Sequence, residues 1–167
     1  MNTGTPIWNA GLVLTSNYLK MLFERLGFLE NDAIKPSDQD KAVHYLNCLA
    51  YGPTSNYPDS LSLSKVLCGL KLEAPIPSSI DLTEEDRQLM DGLLVAMIGH
   101  WSAIYNITPE GFRGNWLVRD GRLTEEAKRW TLVVEKKQYD LLLYQCPFSF
   151  SLVHFPWMEK PLHFTWI

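Results

Sequence analysis

Trp130-Thr-Leu-Val-Val-Glu135, Pro147-Phe-Ser-Phe-Ser-Leu-Val153 and Pro156-Trp-Met-Glu-Lys-Pro-Leu-His-Phe-Thr-Trp-Ile167 are the stretches on which the fold turns. Their short apolar runs predict strands over 130–135, 148–155 and 162–166. Aromatic residues carried to the last positions of the chain would each hold a large apolar surface in water if left free, so this end is expected to be docked structure. The three strands are expected to pair as a small antiparallel sheet against a long helix that precedes them.

That helix starts at Thr83, followed by Glu84, Glu85 and Asp86, since acids in a first turn meet the positive end of the helix dipole. Leu89, Leu93, Met97 and Trp101 fall on one line of it, and Met90, Leu94 and Ile98 on the next. An apolar face this wide predicts a central helix. Downstream, Thr108-Pro109-Glu110 is a cap followed by proline at the first helical position, so a short helix to about Leu117 is expected. Asp120-Gly121 then signals a turn.

Upstream, residues 7–14 read as an extended lead-in. Thr15 or Ser16 caps a helix carrying Leu19, Leu22, Phe23 and Leu26, with Gly27 as its stop and Phe28 and Leu29 as the closing apolar contact. After a polar loop over 30–36, Ser37 and Asp40 resemble a capping box for a second helix to about Tyr51, ended by Gly52-Pro53. Residues 54–60 are turn chemistry, 61–68 a short third helix stopped at Gly69, and 73–79 a connector too short and apolar to be a free linker. The expected fold is α+β and mostly helical: about five helices followed by a small antiparallel β-sheet near the C-terminus, in a single globular domain over 1–167.

Composition narrows the function. A chain of 167 residues can bury roughly 70% of its unfolded surface and needs no staple. A net charge of −4, with Lys128-Arg129 and Lys136-Lys137 as isolated pairs, argues against a nucleic-acid surface, which needs clustered cations. Cys48, Cys68 and Cys146 are odd in number and widely spaced, which points to reduced thiols of a cytosolic protein and not to a disulfide framework or zinc knuckle. The longest apolar runs, such as Leu93-Leu-Val-Ala-Met-Ile98, fall far short of the roughly 20 residues that span a bilayer. The first residues also lack the basic-then-apolar order of a signal peptide.

Sequence signatures of catalysis are missing: there is no GxSxG, HExxH, GxxxxGK or GxGxxG. Cys68 and His100 could form a nucleophilic pair, but no local signature orients either group, and a packing thiol and a partly buried histidine are the favoured reading. His44, His100, His154 and His163 include no i, i+4 pair that would favour a metal, and neither metal nor cofactor is expected. Glu84, Glu85 and Asp86 point around a helix and are explained as helix-start acids. Asp140, entering a Leu run after Tyr139, is expected to cap a turn or to pair with Arg113 or Arg119.

The ordered fragments Asn9-Ala-Gly-Leu-Val-Leu14, Leu22-Phe-Glu-Arg-Leu-Gly27, Ala42-Val-His-Tyr-Leu46, Leu63-Ser-Lys-Val-Leu-Cys-Gly69, Ile98-Gly-His-Trp101, Tyr139-Asp-Leu-Leu142 and Pro156-Trp-Met158, with the ending Leu162-His-Phe-Thr-Trp166, form a specific set. With them the chain resembles the C-terminal region of the contractile injection system tape measure protein family, from about Ile7 onward. The resemblance implies a component of phage-tail-like contractile particles, associated with inner-tube assembly and length control, assembled in the cytoplasm and passing into the released or membrane-docked particle.

A ruler sets length through its own span, and a helix gains only about 1.5 Å per residue. A compact domain of this size is nearer ~35 Å across. The chain is therefore expected to be either a terminal domain or a short relative that keeps the docking function, acting without enzymatic chemistry. Its expected partners are tube or baseplate subunits or further copies of itself, with no nucleic acid and no membrane insertion. Tryptophan is enriched at binding hot spots, so Trp157, Met158 and Trp166 are the candidate interface residues. The alternatives are a small cytosolic hydrolase-like enzyme using Cys68 and His100 or a carboxylate pair, and a soluble protein-binding adaptor unrelated to such particles.

Overall fold

A computed structural model describes residues 4–52, 61–77, 80–104, 106–147 and 151–166. The turn expected over 54–60 lies outside the described residues, as do 148–150 of one expected strand.

The α+β, mostly helical expectation holds, but the sheet differs in both composition and direction. Five strands run in the order β1 (Thr5–Ile7), β4 (Gly121–Glu125), β5 (Trp130–Val134), β7 (Leu162–Trp166) and β6 (Leu152–Val153). β1 pairs with β4 antiparallel, as do β4 with β5 and β6 with β7, whereas β5 and β7 are parallel. The sheet is thus mixed, and it draws its first edge strand from the other end of the sequence. The expected strand over 148–155 contributes only Leu152–Val153 among the described residues.

Strand alternation puts the apolar set inward. Trp130, Leu132 and Val134 of β5 are buried, as are Leu162 and Phe164 of β7, while Val133 and Thr165 face out. The register places Leu123, Leu132 and Phe164 side by side across β4, β5 and β7. Because the side-chain period is two, a slip of one residue would turn this whole row into solvent.

Residues Ala10–Thr15 form a 3-10 turn, fully buried, and not an extended lead-in. It packs on β5 and on the segment that follows α5. α1 (Ser16–Leu26) begins where expected, but Thr15 does not cap it; its hydroxyl donates to the Leu12 carbonyl (2.7 Å) because the side chain is buried under the turn. Gly27 closes α1 in the left-handed region (φ 77°), where Phe28 N–H reaches the Phe23 carbonyl and the two rings meet. The polar loop after it is a tight hairpin of β2 (Leu29–Glu30) and β3 (Ala33–Ile34), turned by Asn31 and Asp32 at positive φ.

The second helix, α2, runs Gln39–Tyr51 as expected, but it starts after a 3-10 turn at Pro36–Asp38 and shows no side-chain cap, so the proposed Ser37–Asp40 box does not form. α3 (Ser62–Leu67) ends at Gly69 (φ 77°). α4 (Glu84–His100) is capped by Thr83, whose hydroxyl accepts from Asp86 N–H at 3.1 Å. Its buried face is narrower than the sequence indicates, limited to Met90, Leu93, Leu94 and Met97, and Val95 is exposed. α2 is deeply enclosed, with nearly every residue from Ala42 to Ala50 buried. Tyr45 Oη donates to Asp86 Oδ2 (2.6 Å), which ties the two helices together.

α5 (Pro109–Phe112), capped by Thr108 accepting from Gly111 N–H at 3.0 Å, passes directly into one π-helical turn at Arg113–Leu117. A further 3-10 helix, Gln138–Gln145, lies between β5 and β6. Apolar side chains from sheet and helices pack into one cluster that includes Trp101, Trp116, Phe23, Phe112 and Leu132.

Candidate functional site

The most enclosed charge pair among the described residues lies where the π-helical turn, the 3-10 helix and β7 meet. Arg119 and Asp140 are buried, at 2% and 3% exposure, and form a bidentate pair: Nη1 donates to Oδ2 and Nη2 to Oδ1, both at 2.6 Å. The fork geometry of guanidinium and carboxylate makes this the strong form of such a bond. The remaining donors are satisfied as well, because Nε and Nη2 reach the Asn115 carbonyl and Nη1 reaches that of Glu135. Rings of Trp116, Tyr139 and Trp166 stand around the guanidinium carbon with centroids 5.0, 5.3 and 5.3 Å away.

Asp140 also accepts from Lys137 N–H at 3.0 Å, so it fulfils both roles expected of it, and Arg119 is the partner. Arg113 serves elsewhere: its Nε donates to the Leu49 carbonyl (3.0 Å) and its Nη2 to Asp91 Oδ1 (2.9 Å). A charge pair this enclosed is a structural knot with no room for substrate.

Above the knot, the 3-10 helix presents a ridge. Tyr144 is 83% exposed and Leu141 68%, and Tyr139 lies partly in the open beside them. One flank of the ridge drops into a hollow of about 250 Å³ formed with Phe164, Thr165 and Trp166 of β7, and Lys136 stands at its rim. The other flank borders a shallow depression of about 420 Å³ that includes Ile104, Ile107, Trp116 and Leu142. The ridge is held firmly: Trp101 Nε1 donates to the Leu142 carbonyl (3.2 Å) and Tyr139 Oη to that of Asn115 (2.8 Å).

The three candidate interface residues fall in two different places. Trp157 is half-buried: its ring stacks on Phe155 (4.7 Å between centroids) and tilts against Phe23 (5.8 Å), and its Nε1 donates to the Leu67 carbonyl at 2.8 Å. Met158 is buried. Trp166 is partly buried, one face on Arg119 and the rest lining the hollow below Tyr144. Leu141 and Tyr144 were not singled out from sequence, because an apolar run such as Leu141-Leu-Leu143 gives no sign of which member faces out when the helix is 3-10.

Of the residues named for the enzymatic alternative, His100 is engaged by a tyrosine and Cys68 is buried. His100 Nδ1 shares a 2.6 Å hydrogen bond with Tyr18 Oη, and their rings stack. Cys68 is buried at the end of α3, where burial pushes its thiol well above the ordinary range. Accordingly, Cys68 should resist iodoacetamide at pH 8 in the native protein and label only on unfolding, as read by mass spectrometry. Native labelling at the rate of a free thiol would contradict the burial. The histidines also serve separate duties: His44 Nε2 donates to the Pro77 carbonyl (2.6 Å) and His154 Nε2 to that of Met158 (3.1 Å). Among the described residues no group of three or more His, Cys, Asp or Glu could hold a metal ion, and no helix is long and apolar enough to cross a membrane.

No curated protein and no solved structure matches the chain. The profile of a family described as contractile injection system tape measure protein matches residues 1–166, essentially the whole sequence. The chain therefore belongs to the contractile injection system tape measure protein family, a structural component of phage-tail-like particles.

Proposed function

We propose that this chain is a non-enzymatic assembly domain that docks onto tube or baseplate subunits while the inner tube of a contractile particle is built and its length set. The family match over residues 1–166 carries this reading. Docking, as opposed to measuring, is favoured by dimensions: α4, with 17 residues, is the longest helix among the described residues and reaches only about 25 Å. On this reading the chain does its work in the cytoplasm, where the particle is put together.

Of the three candidate interface residues, Trp166 is the one assigned to docking, with Trp157 and Met158 supporting the fold beneath. Trp157→Ala should lower unfolding free energy by about 3 kcal/mol, because a packed ring and its hydrogen bond are both lost. Guanidinium denaturation of the variant measures this. Loss below about 1 kcal/mol, accompanied by failed particle assembly, would move Trp157 from the fold to the interface.

The docking role itself is tested in cells that produce the particle. With this chain deleted, particles should be missing or carry tubes of uncontrolled length in electron micrographs, and a tagged chain should co-purify with tube or baseplate subunits. Normal particles made without the chain would remove the proposal.

A further inference from the structure

We infer that the ridge Gln138–Gln145 and the hollow between it and β7 bind an apolar segment of another particle subunit, one carrying an aspartate or glutamate beside its anchoring side chain. This rests on the docking role proposed above and supplies the chemistry of its partner.

Three observations lead there. First, Leu141 and Tyr144 stand in solvent and line a hollow that Phe164 and Trp166 complete, and exposed apolar side chains gathered in this way mark interaction sites. At about 250 Å³ the hollow falls below the range of roughly 300–1,000 Å³ usual for small-molecule sites, which suits an inserted side chain better than a free ligand.

Second, the ridge is pre-organised. Asp140 fastens it to Arg119 and to its own first turn, and the Trp101 and Tyr139 hydrogen bonds fix it on either side. A surface already ordered loses little freedom when a partner binds.

Third, charge selects the partner. Lys137 is paired with Glu135, and Arg119 with Asp140. Lys136, exposed at the rim of the hollow, has no ion-pair partner among the described residues. A second copy of the chain using the same face would form a two-fold contact and bring two such lysines into one interface, which like-charge repulsion opposes. A carboxylate flanking the anchor of a different subunit would instead meet Lys136 directly. Tyr144 and Trp166 would clasp the anchoring side chain from two sides.

Photocrosslinking in particle-producing cells tests this, with Tyr144→p-benzoylphenylalanine in the full chain and the crosslinked peptide sequenced by mass spectrometry. The expected product joins position 144 to an apolar, acid-bearing segment of a tube or baseplate subunit. Its yield should fall about tenfold with Lys136→Glu and persist with Lys136→Arg, since the contact depends on charge sign. A crosslink to another copy of the chain overturns the assigned occupant. So does a yield unaffected by Lys136→Glu. If the chain enters particles but position 144 crosslinks to nothing, the surface is wrong while the docking role stands; a wild-type chain that associates with no particle subunit removes both.

Discussion

Asp140→Ala should cost about 3–5 kcal/mol of stability and lower the melting temperature by roughly 6–20 °C. The guanidinium of Arg119 is enclosed by Trp116, Tyr139 and Trp166 and, among the described residues, has its charge balanced by Asp140, so removing the carboxylate leaves a poorly compensated cation out of water. Lys137 N–H would lose its acceptor at the same time. Guanidinium denaturation followed by tryptophan fluorescence gives the number. Arg119→Met together with Asp140→Leu should recover most of the loss, because replacing both charges removes the desolvation penalty along with the attraction. A single-site loss under about 1 kcal/mol would mean that water reaches the pair.

Gly11→Ala is expected to be of similar severity for a different reason. A methyl group built on Gly11 would land on the Trp116 carbonyl oxygen, with the carbonyl carbon at 2.7 Å and Leu117 Cα at 2.8 Å. These are backbone atoms of the π-helical turn and cannot rotate aside as a side-chain end would. The buried turn Ala10–Thr15 and the turn carrying Trp116 would have to separate, at about 3 kcal/mol or more, the upper end of what overpacking costs. Gly92→Ala is the control, since nothing lies within 4 Å of the added carbon; in mid-helix it should stabilise by a few tenths to about 1 kcal/mol. Equal melting temperatures for wild type and Gly11→Ala would contradict the close approach.

The elements legible in the sequence are those decided locally. Thr83 with three acids fixed the start of α4, Thr108-Pro109 the start of α5, and Gly27 and Gly69 the ends of α1 and α3, because each signal acts within one turn of itself. β1 escaped notice since Thr5–Ile7 is three residues long, contains a proline, and becomes a strand only through β4, more than a hundred positions on. β4 itself, Gly-Arg-Leu-Thr-Glu, offers a single buried apolar residue. The parallel match of β5 with β7 follows from how the intervening 3-10 helix and β6 return the chain, and no pattern within either strand encodes that direction.

The site was legible in part. An acid inside a Leu run needs a turn to cap or a counter-charge, which points to Asp140 and to two arginines; three-dimensional closure chooses Arg119. The exposure of Leu141 and Tyr144 was invisible for the opposite reason. Apolar residues announce burial, and only the packed structure shows which ones it leaves outside.

Strand direction carries one mechanical consequence. β1, β5 and β7 all point the same way, since two antiparallel steps through β4 restore the direction of β1 in β5, and β7 follows β5. Tension drawn between Gly4 and Trp166 would therefore run along the strands, sliding neighbours past one another and loading every rung of the ladder at once, where a hairpin pulled open at its end yields one rung after another. For a subunit built this way, resistance to extension is set by the unfolding barrier and not only by equilibrium stability.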